Sequence, residues 1–266
     1  MSNKPSIDKL VDIMAQLRDP LGGCPWDLKQ SFTSIVPYTL EEAYEVAHAI
    51  EAEDWPEVQN ELGDLLFQVV FYAQLGKEQG LFDFDAIVDG VSEKLVRRHP
   101  HVFAQLDVAD EAEIKKNWEN FKAAERAEKS QDVAPSALDD VPAALPALSR
   151  AAKLQKRAAH QGFDWPDISG VVDKLAEEQL ELVEALASDD MEHIADELGD
   201  LLFTAVNLAR HLKKDPEQLL RQANNKFENR FRYVEKILGV EGKELSDYSL
   251  EQLENAWCEA KTELNP

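Results

Sequence analysis

Glu42 and Glu45, followed by Glu61 and Asp64, form a quartet of carboxylates that recurs 136 residues later as Glu178, Glu181, Glu197 and Asp200. Residues three apart share a helix face, so each pair aims two carboxylates the same way. Crowded like charges raise one another's pKa or require cations. An oxygen-only cluster suits Mg²⁺, which keeps some waters and takes its remaining ligands from substrate phosphates. An isolated ExxE pair is ordinarily a solvated helix face, but that reading does not account for two mirror-placed quartets in one register. A di-iron carboxylate bundle needs Glu-x-x-His on two helices. Glu45 and His48 have that spacing, yet the repeat carries Glu184 where His48 stands, so this rival loses its support.

The elements that must position these groups are two helical hairpins. The first quartet is symmetric about position 53, inside Ala52-Glu53-Asp54-Trp55-Pro56, where an Asp followed by a first-turn Pro marks a new helix start. The second is centred on 189, inside Ser188-Asp189-Asp190. If the helices of each hairpin run antiparallel, Glu42 faces Asp64 and Glu45 faces Glu61. Leu62, Leu65, Leu66, Val69 and Val70 match Leu198, Leu201, Leu202, Ala205 and Val206 at helical spacing. Gly63 and Gly199 interrupt these helices at a cost of about 1 kcal/mol relative to Ala, which predicts close approach of a neighbouring helix or ligand.

Further helices are expected over Ile7 to Arg18, with Leu10, Ile13, Met14 and Leu17 along one stripe, from about Ala86 to Arg98, and around Trp118 and Lys122. Lys94 and Arg98 have counterparts in Lys226 and Arg230, and Trp118 and Lys122 in Trp257 and Lys261. Each pair has i,i+4 spacing and shares a helix face. Cations so placed could reach phosphate oxygens of a substrate, while Trp257 either stacks on a ligand ring or fills the core. Aligning the quartets sets Lys174 opposite Tyr38, four residues before Glu178. A Lys there could touch a phosphate beside the metal, which points to the C-terminal half as the main catalyst. Lys153, Lys156 and Arg157 read as a solvated basic face. Among Ala, Ser and Asp, Pro135, Pro142 and Pro146 mark a linker or irregular connection over residues 130–146, between domains of residues 1–129 and 147–266.

Gly22-Gly23-Cys24-Pro25-Trp26-Asp27, Tyr38-Thr39-Leu40-Glu41-Glu42-Ala43-Tyr44-Glu45, Glu61-Leu62-Gly63-Asp64-Leu65-Leu66-Phe67 and Arg97-Arg98-His99-Pro100-His101-Val102-Phe103 resemble the MazG family of nucleoside triphosphate pyrophosphohydrolases. The resemblance extends over nearly the whole chain. It implies an all-α, Mg²⁺-dependent homodimer built from two helical-bundle domains related by an internal repeat. It further implies cleavage of nucleoside triphosphates, ATP included, between the α and β phosphates. Glu178, Glu181, Glu197 and Asp200 are then the catalytic metal ligands, with Lys174, Lys226, Arg230, Trp257 and Lys261 around the substrate and Glu42, Glu45, Glu61 and Asp64 as a second metal site. The alternative is a non-catalytic nucleotide-sensing or dimerising regulatory module, since duplication frees one copy to lose turnover.

Composition bounds these readings. The chain has 266 residues, 44% of them hydrophobic, and 28 Lys plus Arg against 52 Asp plus Glu give a formal net charge of −24. Such a surface repels nucleic acid, whose binding depends on neutralising phosphates. No GxxxxGK[ST] loop cradles phosphate, so side chains and metal must do so. Cys24 and Cys258 suggest neither a zinc site nor a disulfide framework. With no apolar leader and no run near 18 apolar residues, a reduced, cytoplasmic location without a membrane partner is expected.

Overall fold

A computed structural model describes residues 6–104, 113–114, 117–118, 121, 125, 136–239 and 243–264. Among them every regular element is helical, as the all-α expectation requires. The chain divides into two compact units, residues 1–122 and 123–266.

In the first unit, α1 (Ser6–Leu17) leads through a loop to α2 (Phe32–Glu51), α3 (Trp55–Glu78), α4 (Phe84–Arg98) and the short α5 (Pro100–Phe103). Ser31 caps α2 in a reciprocal capping box with Ser34, Asp54 caps α3 through the Glu57 amide, and Asp83 caps α4 through that of Ala86. Glu53, at φ 55°, takes the left-handed conformation that reverses the chain between α2 and α3. The core gathers Met14, Ile35, Val70, Phe71 and Leu75, with Ile7, Leu10 and Val11 of α1 packed on it. The inward stripe of α1 is thus Ile7, Leu10, Val11 and Met14, whereas Ile13, on the stripe expected from sequence, is exposed. Arg18, itself buried, pins the 18–31 loop to the end of α3. Its Nε and Nη2 lie 2.8 and 2.6 Å from the Glu78 carboxylate, Nη1 donates to the Asp27 carbonyl, and its guanidinium sits 5.3 Å from the Phe71 ring centroid. The bond to Arg18 holds Glu78 below the usual carboxylate range.

The second unit repeats the scheme with α6 (Ala147–His160), α7 (Ile168–Ser188), α8 (Met191–His211), α9 (Pro216–Leu238) and α10 (Leu250–Leu264). Asp189, at φ 57°, makes the reversal and Asp190 caps α8 through the amides of Glu192 and His193. Here only residues 161–167 join the first two helices. Arg210 of α8 holds them through a bidentate pair with Asp164, with His211 3.1 Å from the same carboxylate. Val234, Ala256 and Ala260 form the core between α9 and α10. Arg157, read from sequence as part of a solvated basic face, donates to the carbonyls of Ala137 and Asp139 at 3.1 Å each. The end of the proline-containing connection is thereby tied to α6.

At Gly63 and Gly199 the helix half of the expectation is not met. A Cβ at either would meet no atom within 4 Å among the described residues, so no neighbouring helix of the chain's own approaches them. Lys122 lies outside the described residues.

Candidate active site

Antiparallel pairing of α2 with α3 brings together one carboxylate oxygen each from Glu42, Glu45 and Glu61, all within 4.8 Å of one another. Pairing of α7 with α8 does the same for Glu178, Glu197 and Asp200. The two remaining quartet members, Asp64 and Glu181, stand at the edges of these groups and act on them electrostatically. Partial burial, then the charges of Asp64 and Glu45, push Glu42 above the usual carboxylate range. Partial burial, then Glu178, Glu177 and Glu197 working against Lys174, push Glu181 the same way. Glu61 rises to about 7, first through loss of hydration and then through Glu45 and its hydrogen bond with Glu57. The expected facing of 42 with 64 and of 45 with 61 is therefore the facing these charges report.

The neighbours of the two clusters differ. In the first, Gln68, one turn beyond Asp64 and 5% exposed, donates its Nε2 to Glu42 Oε1 at 3.4 Å. In the second, Lys174 Nζ lies 2.7 Å from Glu177, 2.8 Å from Glu178 and 4.0 Å from Glu181, and the bonds to Glu177 and Glu178 raise its own pKa. Glu178 is 4% exposed, so this cation offsets a carboxylate that has lost most of its hydration. His193 Nε2 stands 3.1 Å from Glu197. His193 and Glu177 escaped the sequence reading, although the 136-residue offset pairs them with Glu57 and Glu41 and so contained the signal.

A donor set made only of carboxylate oxygens, crowded on two facing helices, fits a hard divalent cation. The model of the MazG nucleotide pyrophosphohydrolase domain matches residues 30–103 and again 168–234, spanning both hairpins. The chain belongs to the MazG family. A nucleoside triphosphate pyrophosphohydrolase of Escherichia coli is 52% identical over 96% of this chain and 97% of its own length. A nucleoside triphosphate pyrophosphohydrolase/pyrophosphatase MazG of Thermotoga maritima is 41% identical over 96% of this chain and 95% of its own.

The remaining residues singled out from the MazG resemblance and the repeat lie on α9 and α10. Lys226 and Lys261 are exposed, and Arg230 is half-buried with its Nε enclosed and without a hydrogen-bond partner. Trp257 packs with its ring centroid 5.3 Å from that of Phe227, against the core of Val234, Ala256 and Ala260. Among the described residues no hydrogen bond or ion pair joins Lys226, Arg230 or Lys261 to the second cluster; Lys174 is the cation that touches it. In the first unit, Trp118 donates Nε1 to the Arg98 carbonyl at 3.0 Å and meets the His99 ring edge-on.

Proposed function

We propose that this protein is a Mg²⁺-dependent nucleoside triphosphate pyrophosphohydrolase, converting nucleoside triphosphates, ATP among them, to the monophosphate and pyrophosphate. The observation that carries the reading is the oxygen-only carboxylate cluster on facing helices, formed twice in a MazG chain. Glu178, Glu181, Glu197 and Asp200 hold the metal of the main site, and Glu42, Glu45, Glu61 and Asp64 that of the other. A divalent cation held there would neutralise phosphate oxygens and offset charge developing in the transition state. Lys174, already at the edge of the cluster, moves from Glu177 and Glu178 to a phosphate oxygen. One carboxylate of the quartet takes a proton from the water that adds to the α-phosphorus. The bond from that phosphorus to the bridging oxygen breaks and pyrophosphate leaves. Lys226, Arg230 and Lys261 supply further positive charge to the triphosphate.

The domains run over residues 1–129 and 147–266 on either side of the 130–146 connection, and the assembly is a homodimer. Support for the dimer comes from apolar side chains left exposed at equivalent positions of the two hairpins, Leu62 and Leu66 on α3 and Leu198 and Leu202 on α8. A second copy covering them excludes water from faces that otherwise cost stability. No helix among the described residues is long and apolar enough to cross a membrane, and Cys24 and Cys258 are free thiols, in keeping with a reducing cytoplasm. The strongly negative surface argues against nucleic acid as a partner.

The deciding experiment measures pyrophosphate released from ATP at catalytic enzyme concentration, with Mg²⁺ and with chelator. Release that stops on chelation is expected. Nucleotide binding without turnover would replace the enzyme with the regulatory module.

A further inference from the structure

Gln68 on α3 and Lys174 on α7 each bond to the same member of their quartet, Glu42 in the first unit and Glu178 in the second. The two carboxylates correspond in the 136-residue register, but their donors come from different places. Lys174 lies one turn before its carboxylate on the same helix, whereas Gln68 reaches across the hairpin from the facing helix. The register sets Thr204 against Gln68 and Tyr38 against Lys174, so neither donor recurs in the other unit.

The Gln68 amide is committed to this contact at a cost. Its Nε2 donates to Glu42 Oε1 at 3.4 Å, while its own Oε1 is enclosed and has no hydrogen-bond partner, in a residue 5% exposed. A buried acceptor left unmet is unfavourable, so the amide keeps this direction for the sake of the donor it aims at Glu42. At 3.4 Å the bond is long for N–H···O, and a neutral donor so placed steers a carboxylate more than it neutralises one. Rotation of a carboxylate about its last bond is broad, so a tie to one oxygen sets where the other points. The helices on either side are themselves fixed. Phe67, Val70 and Phe71 pack in the core around the turn that carries Gln68, and one turn further along Thr39 and Tyr72 share a hydrogen bond of 3.0 Å between α2 and α3.

We propose that Gln68 is the positioning residue of the first carboxylate cluster, holding Glu42 toward Glu45 and Glu61 so that a divalent cation meets a preformed ligand. The proposal rests on the pyrophosphohydrolase reading, which makes that cluster a metal site, and adds to it a residue outside the quartet. A ligand group ordered in advance loses less freedom when the ion binds, and the partners that orient metal-bound carboxylates set affinity in this way.

The test titrates Mg²⁺ alone into the full-length protein by calorimetry, with the second cluster disabled by Glu197→Gln. Gln68→Met keeps the length of the side chain and removes its donor; it should weaken Mg²⁺ binding by roughly 10–100-fold. Gln68→Thr, which installs the residue that the second hairpin accommodates at this register position, should weaken it likewise and guards against a loss caused by misfolding. In a Glu42→Gln background, Gln68→Met should change the Kd no further, because a residue that acts through Glu42 has nothing left to orient. Unchanged Mg²⁺ binding in both Gln68 variants, or an equal loss with and without Glu42, would overturn the positioning role alone. Absence of Mg²⁺ binding to the first cluster before Gln68 is altered would overturn its reading as a metal site and the proposal with it.

Discussion

The two carboxylate hairpins share a backbone plan and differ in what surrounds it. Glu57 and Gln68 bond to the first cluster, Lys174 and His193 to the second; the 136-residue register pairs Tyr38, Glu57 and Gln68 with Lys174, His193 and Thr204. The first cluster has no basic side chain bonded to it among the described residues, and it relieves its crowding by protonation, with Glu61 raised to about 7. The second keeps its buried Glu178 beside the Lys174 ammonium. One scaffold thus supports two ways of tolerating the same carboxylates, and among the described residues the second cluster is the one with an ammonium bonded to it.

The largest contrast is expected in activity. Glu197→Gln should lose more than the roughly 10–100-fold that removal of an outer-shell partner costs a metal site, whereas Glu61→Gln should keep most pyrophosphate release. The opposite ranking would make the N-terminal cluster the main catalyst. Next comes Lys174→Met, for which kcat should fall by roughly 10²–10³, the loss of one well-placed electrostatic donor; Tyr38→Phe should leave kcat unchanged.

A subtler difference lies in pH. The folded value of Glu61 is above the ordinary 4.5, so the native state retains a proton that the unfolded chain releases between 4.5 and about 7. Metal-free stability of the first unit is therefore greatest below that window and falls as pH rises through it. Denaturant unfolding at about pH 5 and about pH 8 should show this fall in the parent and a flatter profile in Glu61→Gln. Mg²⁺ binding to the first cluster, followed calorimetrically with the second disabled by Glu197→Gln, should weaken below about pH 7 as the proton competes for Glu61.

The smallest effect concerns the helical glycines. With space open around them, Gly63→Ala and Gly199→Ala should each stabilise by about 0.5–1 kcal/mol through helix propensity, seen as a higher Tm. Destabilisation, or loss of the dimer by light scattering, would show that a second copy packs against these positions.

The hairpins were legible because their information is local: the turn chemistry at Asp54-Trp55-Pro56 and Asp190, and a constant 136-residue register, lie within short stretches. The surroundings of the buried amides were not. Gln155 belongs to α6, Trp165 to the loop and Asn207 to α8, and only packing shows that the Gln155 amide is spent on the Phe203 carbonyl. Register also fails in the loops, because residues 18–31 span twice the length of residues 161–167, so Trp26 and Trp165 do not align. The inward face of α1 was misplaced at Ile13, since Ile7, Leu10, Val11 and Met14 form a competing stripe at equally good helical spacing.

Each reversal, made at Glu53 or Asp189, joins helices whose quartet carboxylates are no more than 22 positions apart, from Glu42 to Asp64 and from Glu178 to Asp200. Closing so short a span carries little chain entropy, and sequence-local contacts form early and fast. The first cluster can therefore assemble on the nascent chain soon after Glu78 leaves the ribosome, before the second hairpin has been synthesised, and domains that emerge in order fold in order. Mg²⁺ captured at that stage would act as a cofolding ligand, biasing the emerging hairpin toward its native pairing by mass action.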